Sequence, residues 1–158
     1  MTDFEFWSPT YFAFGKGKET CTGELVRRFG GHKALLHYGG ESAVRSGLID
    51  RVKESLSSAG VELVELGGVK PNPRSSLVEE GVRLALENKV DFILAVGGGS
   101  VIDSSKAIAI GAANGGEWRK FYVGREVKVR PMIPAALPVG VVLTIAAAGS
   151  EASTKTRP

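Results

Sequence analysis

Residues 91–113 read DFILAVGGGSVIDSSKAIAIGAA, and the class of fold turns on this stretch. Residues 91–96 are almost wholly apolar, as in a strand buried on both faces of a parallel sheet. Gly97, Gly98 and Gly99 follow, and residues 100–113 carry the small and apolar side chains of a buried helix. A strand that passes through glycines straight into a helix is a βα unit. Glycine there permits a tight turn and lets a backbone come close to a ligand. The free N–H groups and positive dipole end of the following helix suit an anion such as a pyrophosphate, with Ser100 placed to cap the helix or to donate to a phosphate oxygen. Three glycines also make a plain strand-to-helix turn, so the loop by itself supports either reading. The common dinucleotide fingerprint G-x-G-x-x-G is not met, because Ile102 stands where its last glycine belongs. The acidic ribose partner expected about 20 residues on is also missing: Glu117 follows a glycine pair rather than a strand.

The same unit repeats upstream. Residues 33–38 (KALLHY) read as a strand, Gly39 and Gly40 as a turn, and residues 41–59 as a helix stopped by Gly60. Residues 61–66 form a second strand, GGVKPNP a loop, and residues 75–88 a second helix with its apolar positions on one face. Successive strand–helix units imply a parallel sheet with right-handed crossovers and helices on both faces, a Rossmann-like α/β fold. A short amphipathic helix over 19–29 precedes them. The opening FEFWSPTYFAFGKG (4–17) alternates aromatic residues around Pro9 and reads as an amino-terminal β-hairpin or edge strand. Its aromatic surface suits either pairing into a homodimer across a two-fold axis or packing on its own sheet. Downstream, 118–130 read as a surface loop with a short strand. IPAALPVGVVLTIAAAGSE (133–151) then reads as a buried strand, a glycine turn and the start of a helix. The expected organisation is one domain, 1–158, incomplete at its carboxyl end.

With 158 residues, 43% hydrophobic and 23% charged, the chain can bury one sizeable core. The formal charge of +3 is dispersed among acidic residues, which excludes a nucleic-acid face. Cys21 is the only cysteine, so neither an internal disulfide nor a cysteine-based zinc site is expected, and a reducing compartment fits. Residues 1–7 lack the features of a signal peptide and no apolar run is long enough to span a bilayer, so a cytoplasmic protein without a membrane partner is expected. His32 and His37 are the only histidines and neither has ligand spacing with a carboxylate, so no metal is expected in this chain.

Three polar residues near these turns have ordinary structural explanations. Asp103 near the start of a helix is stabilised by the dipole, and Lys106 three positions on can pair with it. Asn72 between two prolines is a natural turn residue.

Taken together, the motifs resemble the iron-containing (group III) alcohol dehydrogenases. GGGSVIDSSKA is similar to the family's loop of Gly-Gly-Gly-Ser followed by spaced Asp and Lys. SPTYFAFGKG resembles its first hairpin, VKPNP its loop after the second strand, and LTIAAAGSE its threonine-rich turn. YGGESAVRSGLIDRV resembles the butanol dehydrogenase branch in particular. The resemblance implies an amino-terminal domain binding NAD or NADP, and hydride transfer between NAD(P)H and a small aldehyde or primary alcohol such as butanol. It also implies a following all-helical domain with an Asp and several His ligands to iron or zinc. That domain is absent from these residues, so the isolated chain is expected to be inactive.

Carried over by position, Gly97, Gly98, Gly99 and Ser100 would hold the pyrophosphate. Asp103 would lie near the nicotinamide, Asn72 near the adenine ribose, and Thr144 against the cofactor. Gly39, Gly40 and Ser42 bear on cofactor choice: no side chain at Gly39 and a hydroxyl at Ser42 favour NADP, while Glu41 adds a charge where the branch commonly has glycine. Ala148 replaces the threonine that usually precedes Gly149-Ser150-Glu151. Relatives of the same fold, glycerol dehydrogenase and dehydroquinate synthase, are alternatives, as is a nucleotide-binding or assembly module without catalysis.

Overall fold

The structure, a computed structural model, describes residues 9–39, 41–69, 75–121 and 132–145, and for Glu41 and Ser42 the backbone alone. The expectations for residues 1–8, Gly40, the loop around Asn72, residues 122–131 and the turn after Ile145 lie outside the described residues.

Four strands form one parallel sheet: β1 (Lys33–Gly39), β2 (Glu62–Val69), β3 (Phe92–Gly97) and β4 (Val139–Leu143), in the order β2-β1-β3-β4. The central strand β3 is buried along its whole length and β1 from Ala34 to His37, which is why both read as largely apolar runs. Their alternation divides the core between the two faces. Ala34, Leu36, Phe92, Leu94 and Val96 pack under α1 (Thr22–Arg28), α2 (Glu41–Arg45) and α3 (Leu48–Ser58). Leu35 and Ile93 face α4 (Ser75–Glu87) and α5 (Gly99–Ala113), where Val78, Val82, Ala85 and Ile108 complete the layer. At the far end of the sheet the Asp91 carboxylate accepts hydrogen bonds from the backbone N–H groups of His32 and Lys33 at 2.9 Å, which fixes the start of β1.

The structure departs from the sequence reading at five places. The helix expected over 41–59 is two helices, because Gly47 at φ +69 takes the left-handed conformation that ends α2. Strand β2 runs on through Gly67 and Gly68 to Val69. The register steps from His37–Leu66 to Gly39–Val69, so β2 carries a bulge rather than a loop there. Among the described residues 9–17 no strand forms, so the expected hairpin is missing from this half. Tyr11, Phe12 and Phe14 are exposed instead, with the Arg28 guanidinium 4.7 Å from the centre of the Tyr11 ring. Trp118, expected in a surface loop, is buried beneath α4 and α5. Strand β4, expected to be buried, is half-exposed at the edge of the described sheet.

Candidate functional site at the carboxyl ends of the strands

All four strands end on the same side of the sheet. From β1 the chain passes to α2 and α3 on one face, and from β3 it passes to α5 on the other. The chain thus leaves adjacent strands β1 and β3 toward opposite faces, which makes their carboxyl ends the switch point, the crevice at which open α/β sheets bind ligands.

The glycines at this crevice have different physical origins. Gly97 ends β3 at φ +156, and a Cβ there would lie 2.5 Å from Val101 Cγ2, so both the backbone and the packing demand glycine. Gly98 is the N-cap of α5 at φ −98 and ψ −163, open to any residue, and a Cβ there meets nothing within 4 Å. Its carbonyl accepts from the N–H groups of Val101 and Ile102 at 3.0 and 3.2 Å. The amides of Gly99 and Ser100 come before the first bonded donor, Val101, and have no carbonyl behind them within the helix. Ser100 is the second residue of α5 and not its cap, and no side chain caps this end. Thr144 is brought alongside, its N–H donating to Gly97 O at 3.1 Å, with its side chain exposed.

Gly39 closes β1 beside the same crevice, but its missing side chain leaves no free space. A Cβ would lie 2.7 Å from Val69 Cβ and 3.1 Å from Val101 Cγ2, so strand packing alone explains this glycine. Asp103 is half-buried in α5, past the first helical turn, so the dipole explanation offered for it does not apply. Burial pushes the Lys106 ammonium pKa down, and the nearby charge of Asp103 opposes that shift. Gly40 and Asn72 lie outside the described residues, as does the Ser42 side chain.

The sequence reading weighed His37 only as a metal ligand, set it aside for lack of ligand spacing, and missed its partner. The ring is fully buried, with Nδ1 2.9 Å from Leu66 O and Nε2 2.7 Å from Ser104 Oγ. Desolvation lowers its pKa to about 4 despite the bond to Leu66, so the ring is neutral at neutral pH. A histidine in the middle of an otherwise apolar strand was the available signal, since such a group is stable there only when hydrogen-bonded. No group of three or more His, Cys, Asp or Glu side chains converges among the described residues, so no metal-held step is assigned to them.

A parallel sheet wound on both faces, with a glycine turn opening a helix at its switch point, defines a Rossmann-like α/β domain. The family model for iron-containing alcohol dehydrogenases matches residues 9–156, and the chain belongs to that family. It is 47% identical over 153 residues to the probable NADH-dependent butanol dehydrogenase 1 of Bacillus subtilis, covering 96% of this chain and 38% of the relative. It is 38% identical over 157 residues to the NADPH-dependent aldehyde reductase YqhD of Escherichia coli, covering 97% of this chain and 38% of that protein. The crystal structure of NADH-dependent butanol dehydrogenase A from Thermotoga maritima superimposes with a TM-score of 0.85 at 44% identity, covering 94% of this chain and 36% of that one. The chain thus spans well under half the length of the relatives it matches. No helix among the described residues is long and apolar enough to cross a membrane.

Proposed function

We propose that these residues form the NAD(P)-binding unit of an alcohol dehydrogenase acting on a small aldehyde or primary alcohol such as butanol. The observation that carries this reading is Gly98. It is a glycine at the switch point that neither its backbone conformation nor its neighbours require, beside amides with no acceptor behind them in the helix. The nicotinamide of a bound cofactor supplies the hydride chemistry. This chain's own part is to bind and orient. In this reading the main chain of Gly97, Gly98, Gly99 and Ser100 receives the pyrophosphate, Asp103 lies near the nicotinamide, Thr144 lies against the cofactor, and Asn72 lies near the adenine ribose.

Relatives include NADH- and NADPH-dependent enzymes. Because Gly39 is explained by packing, a preference for NADP here rests on Ser42. Calorimetric titration with ADP-ribose, NADH and NADPH tests the proposal. Binding of ADP-ribose and of at least one dinucleotide is the expected result, and a larger affinity for NADPH would support the role of Ser42. Failure to bind any of the three overturns the reading and favours an assembly module. With only His32 and His37 as histidines, these 158 residues are expected not to turn over alcohol unaided. Metal-dependent oxidation of butanol by this chain alone would contradict that.

A further inference from the structure

His37 and Ser104 join three elements whose relative position the proposed cofactor site depends on. A carbonyl oxygen only accepts, so Nδ1 carries the hydrogen and donates it to Leu66 O, 2.9 Å away. The neutral ring then presents a lone pair at Nε2, and the Ser104 hydroxyl donates to it across 2.7 Å. That hydroxyl has other acceptors within reach, Ser100 O at 2.9 Å and Val101 O at 3.1 Å, the carbonyls a helical serine ordinarily bonds to. The imidazole therefore draws the serine proton off the opening turn of α5 and toward the sheet. On its other side it holds β2 at Leu66, the last regular pair before the bulge.

Apolar side chains would fill these two buried positions without any desolvation penalty, so the polar pair is better explained by register than by stability. The helix is joined to β3 through Gly97 and Gly98 and has no side-chain cap. Apolar packing holds the body of the helix, with Val101 against Gly97 and Gly39 and Ile108 against Gly81. Apolar contacts such as these are non-directional and leave the fine axial setting of the first turn to a directed bond. A directed hydrogen bond fixes that setting, and functional sites lose performance when their supporting contacts are about 1 Å loose.

We propose that His37, acting through Ser104, is a positioning residue that holds the first turn of α5 where the main chain of Gly97 to Ser100 receives a pyrophosphate. The proposal rests on the dinucleotide reading above.

The test uses His37→Asn, whose amide retains a donor toward Leu66 O but falls short of Ser104, together with Ser104→Ala and the double variant. Affinities are measured for ADP-ribose and for adenosine, which lacks the pyrophosphate. The expected result is an affinity for ADP-ribose about tenfold lower in each single variant, no further loss in the double variant, and adenosine binding unchanged. A general loosening of the fold would weaken both ligands together, and that outcome overturns the proposal, as does wild-type affinity for ADP-ribose in Ser104→Ala. Should His37→Asn fail to fold, Ser104→Ala decides alone. If the wild-type protein binds no ADP-ribose, the dinucleotide reading itself falls. If the wild type binds and the variants match it, only the role of His37 falls.

Discussion

Replacing Gly98 by alanine separates a turn from a phosphate cradle. In the folded protein the added methyl meets nothing within 4 Å, and φ −98 with ψ −163 is ordinary extended backbone. Two small effects on stability then oppose each other. Alanine restricts the unfolded chain, which stabilises by about 0.4–1 kcal/mol. It is also a poorer N-cap than glycine, by a comparable amount. The variant is therefore expected to unfold within about 0.5 kcal/mol of wild type in urea followed by circular dichroism. Gly97→Ala is the internal contrast. Its methyl would lie 2.5 Å from Val101 Cγ2 at a φ of +156, and strain plus overpacking destabilise by about 2–3 kcal/mol. Binding separates the two explanations of Gly98. If a pyrophosphate approaches this backbone, the methyl displaces it from the amides of the turn. Losing one charge-assisted hydrogen bond, about 1.5–3 kcal/mol, raises the Kd for ADP-ribose about 10- to 100-fold. Calorimetry of the two folded proteins side by side reads this directly. A Gly98→Ala protein that is as stable as wild type and binds ADP-ribose with wild-type affinity refutes the cradle and leaves an ordinary turn.

Two further outcomes concern the frame around the site. Gly23→Ala places a methyl 2.0 Å from Ser55 O and 2.8 Å from Ala59 Cβ, which forces α1 from α3 and disturbs the 2.9 Å bond from Gly23 N–H to Ser55 Oγ. Overpacking and the weakened bond outweigh alanine's better helix propensity, for a net loss of about 2–3 kcal/mol by urea denaturation, and an unchanged midpoint would show that the helices separate freely. His37 makes folding acid-sensitive. With its pKa lowered by burial from 6.5 to about 4, the unfolded chain binds the extra proton first, so stability is fully present above about pH 6.5 and falls as pH drops toward 4, by about 3 kcal/mol in all. His37→Gln should flatten that interval in pH-dependent denaturation, and an unchanged slope would move the effect to other groups.

Much of this frame was legible because unbroken apolar runs mark the buried strands and apolar spacing or small apolar composition marks the helices. The buried runs of β1 and β3, the helix-spaced apolar residues of α4 and the small apolar residues of α5 lie within about a residue or two of where the sequence puts them. What escaped depends on contacts distant in the chain. Apolar spacing continues on both sides of Gly47, so its break in the helix is invisible to periodicity. Gly67 and Gly68 look like a loop until the Tyr38 ring is seen, 2.9 Å from where a Cβ on Gly67 would lie. His37 finds its partner 67 residues away in a serine, a residue type too common to single out.

Glycine shows most clearly how a site and its scaffold are confused in a sequence. Gly39, Gly97 and Gly98 are the same letter in neighbouring turns, and the family resemblance gives all three to the cofactor. Their surroundings separate them. Val69 accounts for Gly39, Val101 and the backbone account for Gly97, whereas Gly98 answers to no neighbour and no positive φ, only to the modest advantage of glycine over alanine as an N-cap. A glycine that packing and backbone leave optional is the one whose cause is best sought in a ligand. By the same reasoning, the empty Cβ position of Gly39 says little about a 2′-phosphate, because Val69 and Val101 already crowd it. Under the proposed dinucleotide reading, a preference between NAD and NADP would have to come from side chains following β1, such as Ser42, because exchanging Gly39 for a larger residue would disturb the β1–β2 pairing before it reported on a cofactor.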